Sequence, residues 1–364
     1  MLPKVLFAVF SCLLIVTRLN AQDNPPVSQT KTFDKFYQVF NDNYAFFDLH
    51  QLNWKAQYAN YRPLINDGIS NDSLFKVMSA MLTPLGDSHV NLIDARQKRK
   101  FNAARPSAFA AAFHNDSLKN ALWVTVDKSL TQNGFSEAKG YGPVFKGKHL
   151  FYFAKSTNYG YLRFNRCFAR ITDGEIDEKD FETQILDSLI TRCGGLKGMI
   201  VDVRFNIGGD DKFSYEVAGR FAGKPVAGHY KNERIAGTNK FTKLQKWVVK
   251  PKGKYHFTRS VVVLTNSKTV SAAEIFTLAM RQLPMVKIVG DNTEGNLSDM
   301  YSEDLPNGWS VTLSNQKYYS PKMVCYEGVG VPVNIKVINS LADLASGKDP
   351  VVAKGLSILR GVTK

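Results

Sequence analysis

The sequence predicts a mixed α/β fold with a helical region ahead of the core. Met199–Val203 and Val261–Thr265 are apolar runs rich in β-branched residues, which is typical of buried strands. Each run is followed by a segment whose apolar residues recur at helical spacing. Strands that alternate with helices in this way indicate an α/β core.

The N-terminal region predicts helices. Between residues 32 and 81, apolar side chains recur at three- and four-residue intervals, the period of one helix face: Phe33, Phe36, Tyr37, Phe40, Leu74, Met78 and Met81. We assign residues 22–95 to a small helical domain and expect its start, Gln22–Lys31, to be a flexible leader. The domain ends near a loop that carries Ser88 and His89.

Residues 96–158 are assigned to a connecting segment whose topology the pattern leaves open. Leu122–Val126 has the composition of a strand, and glycines mark several turns. We therefore expect one strand here, and we leave the rest of the segment's topology open.

From residue 159 the pattern is clearer, and we assign residues 159–345 to the core and 346–364 to a C-terminal tail. Asn307-Gly308 lies between two strand-like runs, which is a strong hairpin signal. The other expected elements are strands at Tyr159–Phe164 and Val286–Val289, and helices through Phe181 and Leu189, through Phe213 and Phe221, and from about Ser271 to Gln282.

The amino end has the layout of a secretory signal. A basic start, Met1–Lys4, precedes the apolar run Val5–Val16, and Ala21 is a small residue suited to cleavage before Gln22. An apolar run of this length is too short to span a bilayer. We expect residues 1–21 to be removed, no membrane segment to remain, and the protein to be exported, either periplasmic or secreted.

The chain is basic, with a formal net charge of +15. The densest stretch is Lys231–Arg259, with nine Lys or Arg residues and one acid, Glu233. No nucleic-acid motif accompanies this charge, so we predict a solvated loop or flap and no nucleic-acid partner. A role facing the substrate, such as favouring acidic peptides, is the alternative.

Three cysteines follow the signal segment: Cys167, Cys193 and Cys325. Their odd number and wide spacing match neither a disulfide framework nor a zinc site. We expect mostly buried thiols, and the sequence leaves open whether two of them form one disulfide bridge. No His-Glu-x-x-His pattern is present, and Asp210-Asp211 fits a helix start, so no metal or cofactor is expected.

Four segments carry residues suited to catalysis. Asp202–Gly209 ends a strand with paired glycines, which bare backbone N–H groups, and Ser271 follows a strand directly before a helix. Ser88-His89 and Glu327-Gly328-Val329-Gly330-Val331-Pro332 supply a histidine and a carboxylate. Each segment alone is as consistent with an ordinary turn or helix cap.

Together and in this order, the four segments resemble the tricorn and C-terminal-processing serine peptidases. The Asp-x-Arg-x-Asn-x-Gly-Gly stretch is similar to their oxyanion strand, the Ser-Ala-x-Glu step to their nucleophile turn, and Glu-Gly-x-Gly-Val-Pro to their closing motif. The resemblance covers roughly residues 32–337. It implies a core of the crotonase and Clp-protease type, a ββα spiral, and a polypeptide substrate.

Two branches of that family differ at one position. The C-terminal-processing branch activates its serine with a lysine 25 residues downstream, where this chain has Asn296. The tricorn branch uses a Ser-His pair and a late glutamate, both of which are present. The absence of a Gly-Leu-Gly-Phe-like loop agrees with a branch that lacks a PDZ domain.

The tricorn resemblance implies a catalytic tetrad. Ser271 is the nucleophile and His89 the base, while Glu327 holds Ser88, which in turn orients His89. The backbone N–H groups of Gly208 and Ala272 bind the oxyanion, with Gly209 as the substitute for Gly208. The mechanism implied is acyl transfer.

Two other functions fit the same fold. The chain has 24 Phe and 15 Tyr, which could line a pocket for a hydrophobic ligand or peptide in a protein without catalysis. A hydrolase for non-peptide esters or amides is the second alternative. The complete set of Ser271, His89 and Glu327 favours the peptidase.

Overall fold

The computed structural model of the chain describes residues 28–172, 175–177 and 181–361. The predicted signal segment lies outside these ranges. None of the described helices is both long and apolar enough to cross a membrane. The helices, in chain order, are α1 (Gln29–Asn43), α2 (Trp54–Tyr61), α3 (Asn71–Leu82), α4 (Ala108–Ala112), α5 (Asp116–Gln132), α6 (Phe181–Thr191), α7 (Asp211–Gly219), α8 (Ala272–Met280), α9 (Leu341–Ser346) and α10 (Pro350–Leu359).

The strands fall into one large sheet and three small ones. In chain order they are β1 (Asn91–Asp94), β2 (Arg99–Asn102), β3 (Lys139–Phe145), β4 (Lys148–Lys155), β5 (Tyr159–Phe164), β6 (Arg170–Thr172), β7 (Glu175–Asp177), β8 (Gly198–Asp202), β9 (Val226–Glu233), β10 (Gln245–Val249), β11 (Ser260–Thr265), β12 (Val286–Gly290), β13 (Met300–Asp304), β14 (Ser310–Ser314), β15 (Gln316–Tyr319) and β16 (Ile335–Lys336).

The large sheet has the order β16-β12-β11-β8-β5-β4-β3. Its centre, from β5 to β16, is parallel, and β4 and β3 add antiparallel at one edge. Successive residues of β8 enter different cores: Val201 packs with α6, α7 and α8, whereas Ile200 packs with α5 and α10. Because both faces are covered, the central strands are apolar at most positions, as parallel strands usually are.

A second core joins the N-terminal helices to a late hairpin. β1 pairs antiparallel with β14, with Asn91 opposite Thr312, in the sheet β13-β14-β1-β2. Phe36 of α1, Met78 of α3 and Val311 of β14 are buried together in this core. Residues near the start of the chain are therefore held by residues more than 200 positions later.

Most of the predicted elements are confirmed. The strands at Tyr159–Phe164 and Val261–Thr265 are present, and the Asn307-Gly308 turn joins β13 to β14. Asp210 caps α7 through a side-chain hydrogen bond to the Lys212 N–H, as a helix start should. The expected helical segments in the N-terminal region are α1 to α3.

Two predictions of local structure are wrong. Leu122–Val126 is not a strand but the middle of α5, which begins after Asn115, whose side chain accepts from the Leu118 N–H. The buried residues Leu122, Val126 and Leu130 recur every four positions, and this helical period prevails over the β-rich composition. The predicted leader extends too far along the chain, because Gln29–Lys31 belongs to the first turn of α1.

The basic stretch Lys231–Arg259 is only partly a loop. Its first residues belong to β9 and its middle forms β10, and β9 pairs with both β10 and β15. Lys231 is half-buried and pairs with Asp211 at 3.2 Å and Asp299 at 3.3 Å. Burial, together with the charge of Asp299, raises the pKa of Asp211 to about 7. The prediction of a solvated flap is therefore wrong for Lys231, whose charge serves a buried ion pair.

The three cysteines of the described chain are free thiols. Cys167 and Cys193 are buried and Cys325 is half-buried. Burial raises the pKa of both Cys167 and Cys193 to about 12. These two thiols stay protonated at neutral pH, which makes them poor nucleophiles.

Candidate active site

The loops after β8 and β11 meet at the carboxyl edge of the large sheet, because these two strands are parallel neighbours. They are joined by hydrogen bonds: Thr269 Oγ1 donates to Val203 O at 2.9 Å, and the Val270 N–H donates to Asn206 O at 3.1 Å. The sheet thus fixes the two loops against each other.

Asn206 and Gly208 shape the first loop. The Asn206 side chain accepts from the Gly208 N–H at 2.9 Å and donates to Phe164 O at 3.0 Å. Gly208 has φ +79°, and a Cβ there would lie 2.6 Å from Ser271 Cβ and 2.8 Å from Val270 O. Only glycine fits this position. The N–H of Gly208, predicted to bind an oxyanion, is engaged by Asn206 in this structure.

Ser271 stands at the start of α8 in a strained conformation. Its φ of +59° and ψ of −129° are rare for a residue with a side chain. Two hydrogen bonds stabilise this conformation, because the Ser271 N–H donates to Asn296 O and to Glu274 Oε2, each at 3.1 Å. The backbone turn leaves Ser271 on the wall of a pocket.

Glu274 ties the Ser271 turn to the loop that contains Asn296. Oε1 accepts from Thr293 Oγ1 at 2.6 Å and the Gly295 N–H at 2.7 Å, and Oε2 accepts from the Asn296 N–H at 2.8 Å. Burial raises the pKa of this carboxyl to about 7, and the donated hydrogen bonds oppose the rise. Glu274 therefore acts as a buried brace beneath Ser271.

His89 is held through its backbone. Its N–H donates to Asp87 Oδ1 at 2.8 Å, and its carbonyl accepts from Thr312 Oγ1 of β14 at 2.6 Å. Asp87 is itself fixed by the hydroxyl of Tyr44 at 3.1 Å. The Nδ1 atom of the His89 ring is buried and has no hydrogen-bond partner among the described residues.

Asn296 links Ser88 to the Ser271 turn. In the amide orientation that satisfies its neighbours, Oδ1 accepts from Ser88 Oγ at 2.5 Å and from the Ser88 N–H at 3.2 Å, and Nδ2 donates to Gly295 O at 3.2 Å. The residue that stands where the other branch has a lysine thus bridges two segments of the site. The carbonyl of Asn296 accepts from Ser271, as described above.

Glu327 is buried near these residues but does not contact Ser88 through a hydrogen bond. Its Oε2 accepts from the backbone N–H groups of Leu297 at 2.8 Å and Ser298 at 3.3 Å. Its Oε1 has no partner in the described part of the chain. Burial raises the pKa of Glu327 well above its usual range, and the nearby Asp87 and Glu274 raise it further. The Glu327–Ser88 step of the implied tetrad is not formed here.

One pocket of about 270 Å³ collects most of the predicted site residues. Ser88, His89, Gly208, Gly209 and Ser271 all line it. Ala272 lies behind Ser271 as the first residue of α8 and is buried, and Glu327 lies outside the pocket wall. The N–H groups of Gly209 and Ala272 have no hydrogen-bond partner within the described ranges.

Sequence reasoning missed the residues that support the site from behind. The sequence identifies Glu274 only as part of the Ser-Ala-x-Glu step, and Asn296 only as the position where a lysine is absent. Asp87 belongs to none of the four motifs, but an acid two residues before a predicted catalytic histidine is a usable signal. The pairing that makes Asn296 contact Ser88 spans 208 residues and leaves no local pattern.

Comparison with known proteins identifies two matching families. A family model for peptidase family S41 matches residues 158–337, and one for the tricorn protease C1 domain matches residues 25–83. The first match contains Ser271 and Glu327, and the second ends shortly before His89.

Relatives and solved structures agree with these matches. A carboxy-terminal-processing protease from Bartonella bacilliformis is 27% identical over 206 residues, which are 56% of this chain and 44% of the relative. Carboxy-terminal processing protease CtpA from Bacillus subtilis is 30% identical over 139 residues, 37% of this chain and 27% of the relative. The chain thus spans less than half the length of either curated relative.

The crystal structure of a proposed peptidase from Parabacteroides merdae shares the fold. It superposes with a TM-score of 0.74 at 24% identity, covering 91% of this chain and 96% of the other. The prediction of an α/β core of the crotonase and Clp-protease type, preceded by N-terminal helices, is confirmed.

Proposed function

This chain belongs to peptidase family S41, and we propose that it hydrolyses peptide bonds through an acyl-enzyme formed on Ser271. The observation that carries the proposal is the pocket wall on which Ser271, His89 and Gly209 meet. These residues come from three distant segments of the chain, and a nucleophile, a base and a free N–H are the groups that acyl transfer requires.

In the proposed first step, Ser271 Oγ attacks the scissile carbonyl carbon while His89 takes the hydroxyl proton. The tetrahedral intermediate then collapses, the C–N bond breaks, and His89 returns the proton to the leaving amine. Water repeats the sequence on the acyl-enzyme and releases Ser271 and a carboxylic acid. No metal or redox partner is needed for this balance.

We propose Gly209 and Ala272 as the oxyanion donors. Their N–H groups have no partner among the described residues, whereas that of Gly208 is engaged by Asn206. The role left to Gly208 is to give Ser271 room, since any side chain there would meet Ser271 Cβ. Loss of one oxyanion donor typically lowers kcat by on the order of 100- to 1000-fold.

We propose positioning roles for Ser88 and Glu327 in place of a linear relay. Ser88 donates hydrogen bonds to the side chain of Asn296, and the backbone carbonyl of Asn296 accepts from the Ser271 N–H. Ser88 therefore connects the loop that carries His89 to the Ser271 turn. Glu327 fixes the backbone of Leu297 and Ser298 just beyond Asn296. Both residues would then set the distance between His89 and Ser271.

The test is labelling with a serine-directed fluorophosphonate, followed by mapping of the modified residue by mass spectrometry. We expect the label on Ser271, no label in Ser271→Ala, and hydrolysis of a peptide library by the wild-type chain only. Folded protein that neither takes the label nor cleaves any peptide would contradict the proposal and favour a binding function. Cleavage of esters but of no peptide would contradict the peptidase assignment alone.

We also propose that the protein is exported after removal of residues 1–21. The support is the order of a basic start, an apolar run and a small residue before Gln22. Full-length protein expressed in bacteria should be recovered outside the cytoplasm with Gln22 as its first residue, as read by N-terminal sequencing. A chain that keeps Met1 and stays in the cytoplasmic fraction would contradict export.

A further inference from the structure

A second cavity, of about 480 Å³, adjoins the Ser271 pocket. The two share one stretch of wall, formed by Phe145, Lys146, Ile207 and Val270. Trp123 of α5 and Phe205 add aromatic surface on the far side, with their ring centroids 6.0 Å apart. A peptide bound with its scissile bond at Ser271 could place a neighbouring side chain in this cavity.

The charge of this second cavity is unbalanced. Five basic side chains border it against two acidic ones. Lys119 pairs with Asp116 at 3.2 Å, and Lys268 pairs with Glu294, also at 3.2 Å. Lys146 and Lys148 form no ion pair with any described residue. The cavity therefore presents two ammonium groups without a carboxylate, beside the proposed nucleophile Ser271.

The two lysines stand on a firmly held hairpin. Lys146 and Gly147 both have positive φ, +47° and +73°, and form the tight turn between β3 and β4. Arg166, 1% exposed, braces the hairpin by donating to Pro143 O at 2.7 Å and to Lys148 O at 3.2 Å. Phe145 packs edge-on against Phe168 with centroids 5.3 Å apart. The backbone positions of the two lysines are therefore built into the fold.

We propose that this cavity is a specificity subsite for a carboxylate of the substrate, read by Lys146 and Lys148. The inference rests on the proposed peptidase function and adds a substrate class to it. The carboxylate can belong to an Asp or Glu side chain or to the end of the substrate chain. The cation-rich stretch Lys231–Arg259 is not the source of this preference, because none of its residues lines either cavity.

The test compares peptides that differ in one charge. In the first kind of pair, the two peptides carry Glu and Gln at the same position, and each position that flanks the cleaved bond is tested in turn. In the second kind of pair, the two peptides differ only in having a free or an amidated C terminus. The variants are Lys146→Glu and Lys148→Glu. Lys139→Glu is the matched control, because it makes the same charge change on the same hairpin but lies outside both cavities. Equal thermal midpoints establish that all variants fold.

We expect the wild-type chain to favour the charged peptide of one pair by about 5- to 10-fold in kcat/KM, since partly exposed ion pairs are individually weak. The preference should vanish or reverse in Lys146→Glu and Lys148→Glu and persist in Lys139→Glu. The pair that shows it, internal Glu or free C terminus, identifies the source of the carboxylate. Cleavage with no charge preference, or with one that survives both reversals, would overturn the subsite.

Binding to Ser271→Ala separates this proposal from the peptidase proposal. Fluorescence anisotropy with the same labelled peptides measures affinity without cleavage. Tighter binding of the charged peptides, lost in the double variants with Lys146→Glu or Lys148→Glu, supports the subsite even where the wild-type chain cleaves nothing. Equal affinity for charged and neutral peptides would contradict the subsite but would not contradict the proposal that the protein is a peptidase.

Discussion

Replacing His89 with alanine is expected to lower kcat/KM for peptides by on the order of 10⁴- to 10⁶-fold, to the level reached by Ser271→Ala. Ser271 is a weak nucleophile unless a base removes its proton, and His89 is the histidine on the wall of its pocket. Residues that act as one unit lose their full contribution when either is removed. The double variant should therefore be no slower than either single variant.

The measurement is the kinetic comparison of the two single variants with the double variant on one peptide. His114→Ala is the control, because His114 is exposed and lies outside both cavities. It should leave kcat/KM unchanged. Losses that multiply in the double variant would show that His89 and Ser271 act independently, which would rule out the proposed proton transfer.

Replacing Arg204 with methionine is expected to lower the free energy of unfolding by about 3–5 kcal/mol. Arg204 is fully buried and pairs with Asp202 at 2.6 Å and with Asp349 at 2.9 Å. The substitution fills the space but leaves two buried carboxylates without their cation. Asp349 caps α10, so the damage should extend to the helix that covers the large sheet.

Equilibrium unfolding in urea at pH 7 measures this loss. Burial alone would raise the pKa of Asp349, but Arg204 and the donated hydrogen bonds hold it below 3.8. Since the folded pKa is depressed, the stabilisation by ionised Asp349 is complete above about pH 4 and is lost only at lower pH. Lys252→Ala is the control, because the Lys252–Glu216 pair is half exposed and should cost at most about 1 kcal/mol. A loss of at most about 1 kcal/mol in Arg204→Met would contradict the expected cost of leaving Asp202 and Asp349 without their buried cation.

The sequence was most informative where local pattern and burial coincide. β5, β8 and β11 were predictable because strands covered on both faces are apolar at most positions. Leu122–Val126 was not, because the residues of α5 outside its buried stripe include the half-buried Trp123 and the exposed Val124, which imitate a strand. Segments with apolar residues on every side leave the period ambiguous.

The candidate site was predictable in its residues but not in its connections. We could predict Ser271, His89 and the paired glycines because they belong to motifs whose residue types are those that acyl transfer requires. The contacts of Asn296 with Ser88 and of Glu327 with Leu297 and Ser298 depend on how distant segments meet. Lys231 shows the same limit, since its charge alone could not reveal the buried Asp211 and Asp299.

The pairing of β1 with β14 also governs when the site can exist. The backbone of His89 is fixed by Thr312, so the histidine reaches its place only after the ribosome has added more than 220 further residues. Until then, a nascent chain would display an unpaired edge of β1, and His89 would not be fixed beside Ser271. Contacts this far apart in sequence also slow folding. Late completion of the sheet thus delays assembly of the proposed site until most of the chain has been made.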